Sequence, residues 1–370
     1  MTIPVRQLTS IVAELCSQAQ ALLPRGQAEL AQAFLSQYYH RVPSEVLAES
    51  DLPDLYGAAI AHWDLGRQRE AESSLVKVYN PTHESHGWES THTVVEIITN
   101  DRAFLVDSIA MVLNGHNLTI HLTIHPVIRT VRDSDGGLQK VLRNDESDDR
   151  SVAESFMQFR IDRQTDDAVL QQLRTEIFEV IHDVERVGND WKNMRDRLLE
   201  TAEALESASG SAVTEEISAL CHWIAADHFT FLGCIDLKTD TAAVDRQRVP
   251  VPGTGLGILR SGTESRHADP SSLLPINQAD YLTDTELLLI TETNKKSTVH
   301  RPAYMDMIVL RRFDSQGQLI VETCVIGLFS AAAYNSSVRE VPVLRSKLQG
   351  VLERSALPRD GHGSKTLENI

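Results

Sequence analysis

TVVEIITNDRAFLVDSIAMVLNGHNLTIHLTIHPVIRTVR, residues Thr93 to Arg132, is the stretch that decides the fold of this chain. The β-branched residues at positions 94–98 predict a strand that ends at Asn100. The apolar residues after the turn recur at helical spacing and predict a short helix with one buried face: Leu105, Ile109, Val112 and Leu113. From position 118 to 125, apolar and polar residues alternate, which predicts a second strand with one buried face. The stretch therefore indicates strand, turn, helix and strand in succession.

The turn between the first strand and the helix is the candidate binding site. Asp101 is the predicted N-cap of the helix, and Gly115 is predicted to be the left-handed residue past its end. Backbone N–H groups at a helix N-terminus attract anions, so the carboxylate of a free amino acid fits this turn. The predicted effector site consists of residues at the two ends of the helix: Asn100, Asp101, Arg102, Ala103, Phe104, Asn114 and His116.

This strand–turn–helix arrangement resembles the ACT domain, a small βαββαβ module that senses amino acids. An ordinary αβ sandwich without a ligand gives the same local pattern, so both interpretations stay open. The ACT pattern also requires a last strand after a second helix. The second helix is predicted from Thr165 to Val187 with its end at Gly188, but Asp190 to Leu205 is again typical of a helix. We expect the early strand Leu75–Tyr79 to occupy the vacant place in the sheet.

Composition narrows the classes of function. The chain has 370 residues, 42% of them hydrophobic, and a formal net charge of −17. This length predicts two or three domains, and the negative charge argues against nucleic acid and anionic membranes as partners. The four cysteines are scattered without a CxxC pair, which favours a reducing cytosol. We see no signal peptide and no apolar run long enough to span a bilayer.

The segments on either side of the organising stretch have their own patterns. Residues 5–72 are predicted to form helices that pack on the strands after them. Small residues at 207–214 predict a hinge before another helix. Later β-prone runs predict an antiparallel sheet with strands at 229–237, 256–259, 286–291, 304–313 and 319–328, a hairpin turn at 315–317, and a closing helix at 343–352. The sequence after Lys365 is typical of the start of a further helix, so we expect the chain to be a piece of a longer protein.

Several local patterns suggest chemistry but do not predict a catalytic site. His83, His86 and His92 lie in one polar loop, where a metal site is the less favoured interpretation. The GxGxG run at 253–257 and GHGSKT at 361–366 lack the strand and helix context of nucleotide-binding loops. His121 and His125 share the polar face of one strand, where they are either exposed to solvent or line a pocket.

Charged residues near the late strands suggest ion pairing at a domain interface rather than acid–base chemistry: Arg301, Asp306, Arg311 and Arg312. No catalytic residue and no metal ligand is assigned.

Three segments resemble the N-terminal region of the large bacterial NAD-specific glutamate dehydrogenases. They are CHWIAADHFTFLG (221–233), STVHRPAYMDMIVLRRFDSQGQL (297–319) and GLFSAAAYNSSVREVPVLRSKLQGVLERSALPRDGHGSKTLENI (327–370). The resemblance implies a chain several times longer, with the dehydrogenase domain far towards its C-terminus. It also implies ACT-like, PAS-like and helical modules that regulate the enzyme and build its homo-oligomer.

Together these observations predict an α+β fold in five segments. These are a helical segment (1–74), an ACT-like βαββα sandwich (75–188), a helical linker (189–227), a PAS-like antiparallel-sheet domain (228–338) and a C-terminal helical segment (339–370). The predicted function is a cytoplasmic, non-catalytic regulatory region that binds an amino-acid effector, while NAD belongs to the parent enzyme. The expected partners are the downstream dehydrogenase region and other protomers. The alternatives are a purely structural assembly module and, less favoured, a metal enzyme built on the His-rich loop.

Overall fold

The computed structural model describes residues 8–48, 50–143, 145–239, 248–260 and 286–354. The chain divides into two compact units, residues 1–184 and 185–370. Each unit contains an antiparallel sheet packed against helices. The predicted α+β class is therefore confirmed, whereas the finer division into five segments stays a prediction.

The first unit begins with four helices: α1 (Leu8–Leu22), α2 (Arg25–Tyr38), α3 (Ser44–Ala48) and α4 (Leu52–Leu65). The strands and short helices after them are β1 (Leu75–Tyr79), α5 (His83–His86), β2 (Thr93–Asn100), α6 (Leu105–Gly115), β3 (Ile120–Ile124), β4 (Val127–Arg132), β5 (Leu138–Val141) and β6 (Val152–Ile161). The sheet order is β1-β2-β6-β4-β5, and β3 also pairs with β6. All of these pairings are antiparallel. Strand β1 lies beside β2 at the edge, in the place that the sequence predicted for it.

The N-terminal helices cover one face of this sheet. Ile98 of β2 and Phe156 of β6 are fully buried in one apolar cluster with Phe34 and Leu35 of α2. The prediction that residues 5–72 pack on the sheet is thereby confirmed for the described part of that segment. Strand alternation directs Val95 and Ile97 to the opposite face. The apolar residues of α6 and of the next helix are buried as well: Leu105, Ile109, Leu113, Leu173, Ile177 and Ile181.

Helix α7 (Asp167–Ser209) is 43 residues long and continues through Gly188, so the predicted helix end there is wrong. A glycine inside a helix costs only about 1 kcal/mol relative to alanine, and buried residues on both sides outweigh that cost. Val184 and Val187 are buried before it, and Met194 and Leu198 after it. The predicted role of Gly115 is also wrong. Gly115 is helical, and Asn117 is the residue with positive φ (57°) beyond α6.

The second unit contains the C-terminal part of α7, then α8 (Ala212–Trp223), a π-helical turn (Ile224–His228) and a second sheet. Its strands are β7 (Phe229–Thr239), β8 (Arg248–Pro250), β9 (Leu256–Gly257), β10 (Leu288–Lys296), β11 (Tyr304–Phe313) and β12 (Leu319–Phe329). The order is β10-β11-β12-β7-β8, with β9 paired to β7. Helices α9 (Ala331–Tyr334) and α10 (Leu344–Arg354) come last.

This second sheet confirms the predicted antiparallel arrangement and the hairpin turn at Gly317, whose φ is 77°. Leu198 and Leu220 of the helices share a buried cluster with Phe231 and Ile308 of the strands. The segment predicted as a linker therefore contributes to the same core as the strands. None of the helices in the described ranges combines the length and apolar character needed to cross a lipid bilayer.

The sequence suggested ion pairing at a domain interface for Arg301, Asp306, Arg311 and Arg312, and this is wrong for Arg311, which pairs inside the second sheet. Arg311 is fully buried within the second sheet, and its Nε donates to Oε1 of Glu322 at 2.8 Å. Arg248 donates to Oε2 of the same carboxylate at 2.6 Å. Arg301 instead donates to the backbone carbonyl of Phe329. The reason is the cross-strand register, which places Arg311 directly opposite Glu322.

Candidate functional site

Four residues connect β2 to α6, and their conformation differs from the predicted cap. Phe104 occupies the N-cap position with a left-handed φ of 71° and makes no side-chain cap hydrogen bond. The prediction that Asp101 caps α6 is wrong, because both its main chain and its side chain bind β6. Its N–H donates to the carbonyl of Ala153 at 2.9 Å, and its carboxylate accepts the hydroxyl proton of Ser155 at 2.5 Å.

A helix without a side-chain cap leaves its first N–H groups available to another acceptor. Helix α6 begins in this way and has 11 residues, enough for a dipole that favours an anion at its start. The Arg102 side chain, 21% exposed, lies in the same turn. Its Nε has no hydrogen-bond partner among the described residues, and its Nη2 is 3.7 Å from the exposed carboxylate of Glu72. The turn therefore combines helix N–H groups with a guanidinium whose donors are not all used.

A buried ion network holds the beginning of the turn. The Asn100 amide accepts from Arg69 at 2.7 Å and donates to Glu72 at 2.8 Å. Arg69 also pairs with the fully buried Glu154 of β6 at 2.6 Å, and Arg132 of β4 pairs with the same carboxylate at 2.7 Å. Burial raises the pKa of Glu154, but the hydrogen bonds and charges of the two arginines outweigh burial and hold that pKa below its ordinary value. Because three strands and the segment after α4 meet in this network, Asn100 has a fixed position.

Asn114 and His116 do not lie near this turn of the same chain. At 1.5 Å per residue, they lie about 15 Å further along α6. Asn114 is exposed, and the His116 ring bonds the Glu176 carboxylate of α7 through Nε2 at 2.9 Å. Their assignment to an effector site stays a prediction.

Ser155 is a polar residue of this region that the sequence reasoning missed. Its hydroxyl is fully buried and lies between Asp101 and His125, whose Nε2 is 3.1 Å away. Since the single hydroxyl proton goes to Asp101, His125 must donate from Nε2 to the serine oxygen. Burial lowers the pKa of His125, which favours the neutral ring. Nothing in the β6 pattern distinguished Ser155 from its neighbours, because its role depends on a residue 54 positions away.

The two histidines predicted on one strand face have different surroundings. His121 is 40% exposed and bonds Asp162 at 2.7 Å. His125 is half-buried in the cluster with Ser155. His121 therefore matches the prediction of an exposed side chain, while His125 lies beside the candidate turn.

The remaining local patterns form no ligand cradle in the described parts of the chain. The loop with His83 contains one helical turn, α5, and the described ranges hold no group of three or more His, Cys, Asp or Glu side chains placed to bind a metal ion. In the GxGxG run, the Gly257 N–H donates to the Asp190 carboxylate at 2.8 Å, and its φ is 61°. The Gly257 N–H of this loop is therefore used in a contact with α7. GHGSKT lies outside the described residues.

Comparison with known proteins gives two family matches. Residues 34–177 match the family model described as glutamate dehydrogenase, ACT1 domain. Residues 341–370 match glutamate dehydrogenase, helical motif 1. The first match runs from the end of α2 to the first part of α7 and therefore contains the whole first sheet and the candidate turn.

The similar curated proteins are NAD-specific glutamate dehydrogenases. That of Halomonas elongata is 32% identical over 367 residues, which cover 97% of this chain and 23% of that protein. That of Pseudomonas aeruginosa is 31% identical over 340 residues, which cover 91% of this chain and 21% of the relative. The Mycobacterium tuberculosis protein is 25% identical over 297 residues, 79% of this chain and 17% of the relative. The resemblance seen in the sequence is confirmed, and the chain spans less than a quarter of the length of these relatives.

Proposed function

Because the chain carries the ACT1 domain and the first helical motif of the glutamate dehydrogenase family, we propose that it is a non-catalytic regulatory region of a large, cytoplasmic NAD-specific enzyme. In this proposal, the oxidation of L-glutamate by NAD to 2-oxoglutarate, ammonium and NADH takes place in another region of the same protein. The region described here binds an amino-acid effector and changes the activity of that distant site. The ACT1 match over the sheet and its turn is the observation that carries the proposal.

The proposed effector site is the turn before α6. The amino-acid carboxylate accepts hydrogen bonds from the N–H groups at the start of the helix and from the Arg102 guanidinium. The uncapped helix start and the unpartnered Nε of Arg102 support this assignment. Asp101 is engaged with Ser155, so its carboxylate fixes the turn and is less available to the ligand's ammonium group.

Calorimetric titration of the 370-residue chain with each of the twenty amino acids tests this function. We expect saturable binding of at least one of them, and we expect Arg102→Met to weaken it. A hydrogen bond to a charged group contributes about 1.5–3 kcal/mol, which corresponds to a loss of roughly ten- to hundred-fold in affinity. Arg150→Met is the matched control, since Arg150 is an exposed arginine of the same unit whose side chain bonds Asp148. If no amino acid gives heat or raises the unfolding temperature, effector sensing is refuted.

Assembly is the second candidate function, and helix α10 favours it. Leu344 and Val351 of this helix are 46% and 43% exposed, and no residue of α10 is buried in the described structure. An apolar helix face of this kind suits contact with a second copy or with a downstream region. Light scattering of the wild type and of Val351→Asp tests the proposal, with Gln349→Asp on the same helix as a control. A monomer at high concentration in all three proteins would count against assembly through this helix.

A further inference from the structure

A groove with one basic end lies in the first unit, on the edge of the sheet that carries β1. It has a volume of about 750 Å³, within the range of small-molecule sites. Its floor is the apolar stripe of α4 that includes Pro53, Ile60 and Ala61, and one wall is the end of α1 at Ala21 and Leu22. The apolar part of the groove therefore suits an aliphatic group.

The basic end is formed by Lys77 of β1 and His86 of α5. The Lys77 ammonium lies 3.9 Å from the centre of the Tyr79 ring, and the His86 ring packs against the same tyrosine with centroids 4.9 Å apart. No carboxylate of the described residues forms an ion pair with Lys77. Asp64 of α4 also lines the groove, where it pairs with Arg67 at 3.2 Å. Glu96 lies opposite Lys77 in the β1–β2 pair, is fully buried and has a pKa raised to about 7 by burial, so its charge compensates the lysine only in part near neutral pH.

Two further donors line the same groove. The His86 Nδ1 accepts the backbone N–H of Thr82 at 3.3 Å, so the proton of the neutral ring is on Nε2. Burial and the charge of Lys77 lower the pKa of His86, which favours this neutral form. The Tyr56 hydroxyl is shielded from solvent and has no hydrogen-bond partner among the described residues. An ammonium, an imidazole N–H and a phenol O–H are thus carried by residues that line one groove.

We propose that this groove binds a small organic carboxylate with an aliphatic body. The carboxylate accepts from Lys77, His86 and Tyr56, and the body lies along the apolar stripe of α4. The ammonium of Lys77 repels a cation from this end of the groove, and a fully polar ligand would make no use of the apolar stripe of α4. This site is separate from the turn before α6 and does not depend on the effector proposed there. Lys77 shares its sheet face with Leu75 and Ile98, the face that the N-terminal helices cover.

Titration of the 370-residue chain with 4-methylpentanoate, measured by calorimetry, tests the proposal, with 4-methylpentan-1-ol as the uncharged probe of the same shape. We expect saturable binding of the acid and at least tenfold weaker binding of the alcohol. Lys77→Met keeps the length of the side chain and removes its charge, so it is expected to weaken acid binding at least tenfold. Tyr56→Phe removes only the hydroxyl and is expected to weaken it about threefold or more.

Lys140→Met is the matched control, since Lys140 is a half-exposed lysine of the same unit paired with Glu146. It is expected to leave the affinity unchanged. If Lys77→Met fails to fold by circular dichroism, Tyr56→Phe carries the test. No binding of the acid to the wild type, or equal binding by wild type and both groove variants, would overturn the proposal. Arg102→Met is expected to leave 4-methylpentanoate binding unchanged, which separates this site from the effector turn.

Discussion

Replacing Glu96 by glutamine is expected to change how the stability of the first unit depends on pH. Glu96 is fully buried on β2, accepts hydrogen bonds from Tyr79 at 3.0 Å and Gln158 at 3.3 Å, and leaves Oε2 without a partner in the described structure. Burial raises its pKa from 4.5 to about 7. A rise of this size corresponds to about 3 kcal/mol, because each unit is worth about 1.36 kcal/mol.

The direction in which stability changes with pH is set by the protonation of Glu96 in the folded and in the unfolded chain. Below pH 4.5, the carboxyl is protonated in both the folded and the unfolded chain, and its contribution to stability is fully present. Between pH 4.5 and 7, the unfolded chain loses the proton while the folded chain keeps it, so the free energy of unfolding falls as pH rises. Above pH 7, the loss is complete. Glutamine cannot ionise, so Glu96→Gln is expected to remove about 2–3 kcal/mol of the decline between pH 5.0 and 8.5.

Urea unfolding at these two pH values measures the effect. Hydrogen exchange of peptides from β2 restricts the measurement to the first unit. The matched control is Glu154→Gln on the adjacent strand, where Arg69 and Arg132 lower the pKa of the carboxyl. That substitution removes the negative charge that compensates two arginines in a buried network, so it is expected to destabilise the unit by about 3–5 kcal/mol at pH 8.5 and by less in acid. If Glu96→Gln retains the wild-type decline, the assignment of a raised pKa to Glu96 is refuted.

Three further substitutions have expected outcomes. Gly57→Val is expected to destabilise the first unit by about 1–3 kcal/mol in thermal unfolding, because a Cβ at this position lies 2.7 Å from Cγ of Trp88; an unchanged midpoint would contradict this packing. Arg311→Met removes one of the two arginines that pair with the buried Glu322 carboxylate and is expected to cost about 3–5 kcal/mol in urea unfolding of the second unit; a cost below 1 kcal/mol would contradict this assignment. Ser211→Ala removes the N-cap of α8 and is expected to cost about 1 kcal/mol, whereas Ser209→Ala, just before the cap, is expected to cost less.

The regular elements of both sheets could be predicted from sequence because their apolar periodicity is strong. Strand β11 matches its predicted range, and β12 extends one residue beyond its own, to Phe329. Strand β2 begins at Thr93, one residue before the predicted run, and ends at Asn100 as predicted. Ends of helices were predicted less well, because they depend on contacts far along the chain. Asp101 has the right chemistry for an N-cap, but Ser155 of β6 binds its carboxylate. Gly188 has the right chemistry for a helix end, but buried residues on both sides extend α7.

The candidate sites were predictable only in part. The turn at 100–104 is contiguous, so its position between β2 and α6 could be inferred from the local pattern. The groove beside β1 unites Tyr56, Lys77 and His86 from three separate elements, and no spacing in the sequence indicates that they meet. The buried carboxylates of Glu96 and Glu154 were also invisible to pattern analysis, because polar residues in a strand ordinarily mark its exposed face.

The buried arginine–glutamate–arginine groups have a consequence for how this protein changes during evolution. One such group lies in each unit: Arg69, Glu154 and Arg132 in the first, and Arg248, Glu322 and Arg311 in the second. Losing one member leaves the others as buried charges without full compensation, which lowers stability. Exchanging all three for apolar residues of similar volume lowers stability far less. Single substitutions at these positions are therefore expected to be selected against. Across divergent homologues, each trio is expected to covary, being either retained intact or exchanged as a set.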